Sequence, residues 1–489
     1  MVIQSLIRRA LGRSPGQDGA VKSVTIAPTD LDRLHRVIGP DRTELLNASL
    51  STAMKDRKGA RVWHVNSTAT GGGVAEMLQV ILAYWRAAGV DARWLVFEGD
   101  PLFFATTKRI HNLIHGMPGD GGELGHAERA NFEALAEKNF ETFKPLLREG
   151  DIVVIHDPQP AGMIPMLKEL GLPVVWRCHI GRDEPNELTA KAWEFLQPYV
   201  SQADRVVVSR QAHIPPGIPD KVVHVIPPCI DPFAPKNDDI DDAEVHRVLV
   251  RIGVLDAEDD GKPITFPRLD QQRATLSDDL KATLIGDKLP VGAPVVVQVS
   301  RWDRLKDMIG VLRGFLDADL PKETHVALVG PDVSGVTDDP EGAEVYAECE
   351  AVYYDLTEEE QRRVHLISLP MTDPEANAHM VNALQRHAAV VAQKSLFEGF
   401  GLTVTEGMWK TRPMVASAVG GIQDQITDGV SGLLIADPKD LTAFGEALAK
   451  LLSDPAYAAT IAQAGRDRAH QDYLGDRSIR QWMELVATL

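Results

Sequence analysis

At 489 residues the chain is too long for a single hydrophobic core, and its 44% hydrophobic and 25% charged residues are ordinary for a globular protein. Seventy acidic against 51 basic residues give a net charge of −19, which argues against nucleic acid or an anionic membrane as partner. Three scattered cysteines, Cys178, Cys229 and Cys349, make neither a disulfide framework nor a zinc site, and no apolar run approaches membrane-spanning length. The expectation is a cytoplasmic protein with buried free thiols, in which any anionic substrate meets a local basic pocket.

The first stretch, MVIQSLIRRALGRSPG, is basic and mildly amphipathic, with an apolar part too short for a secretory signal. Residues 1–25 read as a tail and 32–56 as a helical lead-in, so residues 1–56 precede the first domain. Arg61 to Asn66 is a predicted strand, Ser67 to Gly73 a glycine loop and Val74 to Ala88 a helix, followed by a strand from Asp91 to Phe97. This βαβ unit predicts a parallel, doubly wound sheet. Further strands at Asp151 to Ile155, Pro173 to Cys178, Arg205 to Ser209 and Lys221 to Ile226 complete a Rossmann-like domain over residues 57–235. His156 and Asp157 end one of these strands and Arg177, Cys178 and His179 another. Two histidines and an aspartate at matching strand ends suit either a structural or a catalytic role. The Gly71–Gly73 loop lacks a full dinucleotide fingerprint, but its helix N-terminus, with Gly72 and Gly73, suits an anion.

A proline cluster from Pro227 to Pro235 and an acidic run introduce residues 236–293, read as linker and insertion because 255–290 lack periodicity. Alternation resumes over residues 294–489, with strands at Pro294 to Ser300, His325 to Val329, Val364 to Ser368, Ala388 to Val391, Pro413 to Ser417 and Gly432 to Ile435. A second α/β, Rossmann-like doubly wound domain with C-terminal helices is expected, and two such domains are expected to face a cleft. After its first strand come Arg301 and Lys306, two cations placed to clamp a diphosphate. After the Ala388 strand comes SLFEGFGLTVTEGM, in which Gly399 and Gly401 allow a tight turn and the helix N-terminus offers N–H donors. Glu398 and Glu406 are up to about 12 Å apart at helical rise. They suit two parts of an elongated ligand rather than one shared proton. Gly407 inside the helix costs about 1 kcal/mol relative to alanine.

The EGFGLTVTE segment resembles the paired-glutamate signature of retaining glycosyltransferases of family 4, and SRWDRLKD resembles their diphosphate-binding segment. VWHVNSTATGGGVAEML, WRCHIG and AVGGIQDQITDGVSG are further similar to the trehalose glycosyltransferring synthases. The resemblance implies a GT-B fold, no metal or other cofactor, and retaining transfer of glucose from ADP- or UDP-glucose to a small sugar, free glucose, giving trehalose. It implies catalytic roles for Glu398, His179, Arg301 and Lys306. Arg301 and Lys306 would hold the diphosphate, Glu406 the ribose, and Gly399, Phe400, Gly401 and Leu402 the donor turn. Gly72 and Gly73 would close over the donor, with Asp157, His179 and Glu398 on the sugars. Phe397 stands where the family commonly has a basic residue. A retaining trehalose phosphorylase, a family 4 enzyme with another acceptor and a non-catalytic sugar-nucleotide sensor are the competing readings. A homodimer is left open.

Overall fold

The computed structural model describes residues 21–27, 29–55, 59–69, 73–333 and 340–489. Within it, short runs of β-branched residues build two separate seven-stranded sheets. The first holds β1 (Val21–Val24), β2 (Arg61–Asn66), β3 (Asp91–Phe97), β4 (Ile152–His156), β5 (Val174–Arg177), β6 (Arg205–Val208) and β7 (Val223–Val225). Their order is β1-β3-β2-β4-β5-β6-β7, parallel except for β1, which runs antiparallel along β3. Every residue of β2 is buried, as expected of a strand covered on both faces.

The rest of the chain contributes β8 (Thr265–Pro267), β9 (Arg273–Thr275), β10 (Thr283–Ile285), β11 (Val295–Val299), β12 (His325–Pro331), β13 (Val364–Leu369), β14 (Val390–Gln393), β15 (Met414–Ser417) and β16 (Leu433–Ile435). The second sheet has the order β10-β13-β12-β11-β14-β15-β16, again parallel apart from its edge strand, β10. This is the GT-B architecture of two Rossmann-like doubly wound domains. One compact unit takes the described residues up to Pro227 together with Ile479–Leu489, and the other takes Pro228–Ser478. Trp63, Phe97, Phe132 and Trp176 anchor the first core. Trp302, Phe315 and Phe444 anchor the second.

Several expectations need amending. Of the predicted tail, residues 1–20 lie outside the described residues, while Val21–Val24 is an edge strand with a half-exposed pattern that carries little sequence signal. The helical lead-in, Leu31–Lys55, is bent at Gly39 (φ 78°, ψ 174°), where Pro40 cannot continue the preceding turn. The predicted 255–290 insertion holds the β8–β9 hairpin and supplies β10 to the second sheet. Buried Arg251 pins it, ion-paired with Asp259 and, at 2.8 Å, with Asp278. Three-residue strands held by side-chain pairs leave no hydrophobic period to read. The terminal segment Ile479–Leu489 packs with the first unit.

Candidate active site

In the second sheet β11 lies between β12 and β14, so crossovers leave the two halves in opposite directions and open a crevice at the C-terminal strand ends. The loops after β11 and β14 meet there. Asp303 caps a single 3₁₀ turn, Arg304–Lys306, by accepting from the Leu305 N–H at 2.8 Å. That turn aims Lys306 at Glu398, with Nζ 2.5 Å from Oε2, and both side chains are about 15% exposed. Ser395 Oγ adds a longer bond to the same carboxylate oxygen at 3.3 Å. Behind the pair, Gln393 Nε2 donates to Ser395 Oγ at 2.9 Å, and Gln298 ties both loops, donating to the Lys306 carbonyl and accepting from the Lys394 N–H. Lys394, wholly buried, is ion-paired with Asp307, a left-handed residue (φ 48°) that caps the Met308–Leu316 helix. Arg301 is turned to Asp303 at 2.9 Å and is 60% exposed.

Glu398 stands in the turn before the helix, and Glu406 is well inside it. Gly401 (φ 83°) is the N-cap of the Leu402–Trp409 helix and has no side chain to satisfy the first N–H groups. A second glycine loop braces this turn. The Gly421 N–H donates to the Gly399 carbonyl at 3.1 Å, and Gln425 Nε2 donates to the Phe400 carbonyl at 2.5 Å. A Cβ at Gly420 (φ 51°) would fall 1.6 Å from the Glu398 carbonyl oxygen. Glu406 is nearly buried, with Lys236 Nζ 3.7 Å from Oε1. One turn on, Lys410 Nζ donates to the Glu406 carbonyl at 3.2 Å and to Asn237 Oδ1 at 3.1 Å. Gly407 has a packing reason, since a Cβ there would lie 2.5 Å from Met414 Sδ.

The first sheet has its own switch point between β2 and β4. A pocket there is lined by Asn66, Ser67, Thr68, Gly73, Val74, His156 and Asp157. Gly73 opens the Gly73–Ala87 helix, while Gly71 and Gly72 lie outside the described residues. Asp157 adopts φ 62° and accepts from the His179 backbone N–H at 2.8 Å. Burial pushes its carboxyl up to about 6, against the lowering effect of that N–H and of Arg177. His156 and His179 are joined through Nδ1 and Nε2 at 3.0 Å, and His64 extends the row, its Nδ1 2.9 Å from Nε2 of His156. Among the described residues no group of three or more His, Cys, Asp or Glu is placed to hold a metal.

Lys306 and Glu398 thus meet at one strand end, Glu406 lies on the helix that follows and faces Lys236, and Asp157 and His179 meet at another strand end. Sequence reasoning missed Lys394–Asp307, the Gly420 brace, Lys410 and His64. A lysine directly after a buried strand, and a histidine inside one, were the available signals, because such groups need partners.

Residues 64–215 match the family model described as trehalose synthase, N-terminal domain, and residues 287–468 match glycosyl transferases group 1. The trehalose synthase of Rubrobacter xylanophilus is 34% identical over 435 residues, covering 88% of this chain and 91% of its own. The chain belongs to the trehalose synthase family. Trehalose phosphorylase of Grifola frondosa is more distant, 24% identical over 94% of this chain and 60% of its own length. The fold is shared with an α,α-trehalose-phosphate synthase (UDP-forming) from Burkholderia xenovorans solved with glucose-6-phosphate, at TM-score 0.64, 13% identity, 88% of this chain and 100% of that one. As a trehalose synthase family member the chain is a trehalose-related glycosyltransferase. No helix among its described residues is long and apolar enough to cross a membrane.

Proposed function

We propose that this enzyme moves glucose, with retention, from a nucleoside diphosphate glucose to free glucose, forming α,α-trehalose. The observation that carries the reading is the Lys306–Glu398 pair at the switch point of the second sheet, followed by Gly401 and Glu406. A cation, a carboxylate and an uncapped helix N-terminus there match the parts of a sugar nucleotide. The diphosphate meets Lys306, Arg301 and the N–H groups of Gly401 and Leu402. The hexose hydroxyls meet Glu398, and the ribose meets Glu406.

Negative charge grows on the diphosphate as the glycosidic bond breaks. Lys306 and the helix N–H groups stabilise that charge in place, without reorganising water. Glu398, released from Lys306 by the incoming phosphate, turns its acceptor oxygens to the sugar. The departing phosphate oxygen takes the proton of the attacking hydroxyl on the same face, so no covalent enzyme intermediate is needed. Asp157 and His179 serve the sugar side of the reaction, and a pocket that hydrogen-bonds hydroxyls rejects analogues lacking them.

Incubating the enzyme with labelled glucose and ADP- or UDP-glucose, followed by NMR of the disaccharide, tests the proposal. The expected product is non-reducing α,α-trehalose, with glucose preferred to 2-deoxyglucose, galactose and glucose 6-phosphate. Trehalose cleavage that needs inorganic phosphate and ignores nucleoside diphosphates would overturn it in favour of a phosphorylase.

A further inference from the structure

His64, His156 and His179 form an unbroken row of imidazoles, from the middle of β2 through the end of β4 to the residue two beyond β5. Two links, at 2.9 and 3.0 Å, join the rings, and each uses one ring nitrogen from either side. The middle ring, His156, is stacked on His179 with planes 12° apart and is tilted by 30° to His64. Burial is the leading cause that pushes all three below the ordinary histidine value, to about 3 for His64, so the row is neutral at physiological pH. A neutral imidazole carries a single N–H. Each link needs one donor and one acceptor, so the rings cannot choose independently. Either all three carry the proton on Nδ1, or all three carry it on Nε2.

The far end of the row makes the choice. Nε2 of His64 is buried without a hydrogen-bond partner among the described residues, and so is Nε1 of Trp85. The His64 and Trp85 rings are 5.1 Å apart at 75°, and Trp482 closes the same apolar wall. Trp85 only donates. With protons on Nε2, His64 would add a second unpaired donor to that wall. With protons on Nδ1 it presents a lone pair beside a neighbour that has only an N–H to give.

We infer that His64 is a positioning residue, which through His156 fixes His179 as the Nδ1–H tautomer and so as a neutral hydrogen-bond donor to the bound sugar. The inference deepens the proposed function, on which the sugar contact of His179 rests, while the tautomer itself concerns the free protein. With Nε2 engaged by His156, Nδ1 is the ring nitrogen of His179 left for a ligand. Setting the tautomer of a working imidazole from its far side is a general device, and its loss leaves a ring in place with the proton on the wrong nitrogen.

The test uses the full chain with 15N-labelled histidine and no substrate, reading which ring nitrogens bear protons from long-range 1H–15N spectra. The expected spectrum shows His64, His156 and His179 neutral and protonated on Nδ1. In His64→Phe, which keeps an aromatic ring in the wall, His179 is expected to populate both tautomers. Its kcat is expected to fall about tenfold or more, with little change in KM for the sugar nucleotide. His64→Asn, whose amide stands near the lost Nδ1, is expected to recover most of kcat. An Nε2–H signal for His179 in the unmodified protein overturns the inference even if no variant folds. An unchanged His179 tautomer and kcat in folded His64→Phe overturns it equally. Since the spectra need no sugar, failure of the proposed reaction leaves this result readable.

Discussion

Lys410 buries an ammonium group under the helix that carries Glu406, and desolvation pushes its pKa down to about 7, against the pull of the nearby Glu406 charge. The unfolded chain keeps that proton up to the ordinary lysine value of 10.5. Between those limits the unfolded state binds more protons, so stability rises with pH, by at most about 1.4 kcal/mol per unit from this group. Urea midpoints at pH 7.5 and 9.5 should show the rise in the unmodified protein and its loss in Lys410→Met; parallel behaviour would mean Lys410 stays charged. Lys306 and the two glutamates divide by task. Lys306→Ala removes a charge-assisted contact that strengthens as the leaving group departs, and should cost about 3 kcal/mol in kcat. Glu406→Gln should weaken calorimetric binding of the free nucleoside diphosphate, whereas Glu398→Gln should spare it and slow transfer. Equal losses of affinity in both would show that the ribose and hexose roles are wrongly divided.

Among the elements, the Glu398–Gly401 turn depends on a neighbour it does not touch in sequence. Gly420 lies under it with φ 51° and room for no Cβ against the Glu398 carbonyl. Gly420→Ala must therefore push Glu398 aside, and a displacement of that kind at a reacting centre costs on the order of 100-fold in rate. Gly407→Ala presses only on the flexible Met414 side chain, so its kcat should stay close to that of the unmodified enzyme. Steady-state kinetics with melting temperatures on both variants separates the two, and a larger kcat loss in Gly407→Ala would refute the bracing role. The strand, turn and helix around Glu398 were legible because each signal is local: a β-branched run, two glycines, a helix-forming segment. The Lys306–Glu398 contact was not, as its partners are separated by 92 positions and only the order of β11 and β14 brings them together. Edge strands β1 and β10 were illegible for a different reason. They are short and half-exposed, and what fixes them is pairing with β3 and β13 rather than any pattern of their own.

At the scale of the whole molecule, the alternation of strands and helices announced two doubly wound units, but nothing local assigned Ile479–Leu489 to the first of them. Trp482 does so by packing its ring against Trp85, 5.9 Å away, and His64, 6.3 Å away. Trp482→Ala should open a cavity worth about 3–5 kcal/mol. Hydrogen exchange should then quicken in Arg61–Asn66 and Gly73–Ala87 and stay unchanged in the second core; uniform quickening would contradict the assignment. Biosynthesis meets this arrangement in time. The whole of Pro228–Ser478 leaves the ribosome after the strands of the first unit and before Trp482. At about 5–20 residues per second, that interval lasts roughly ten to fifty seconds. For all of it the nascent first unit lacks the ring that packs on Trp85 and His64, so its core is completed only once Ile479–Leu489 has been made.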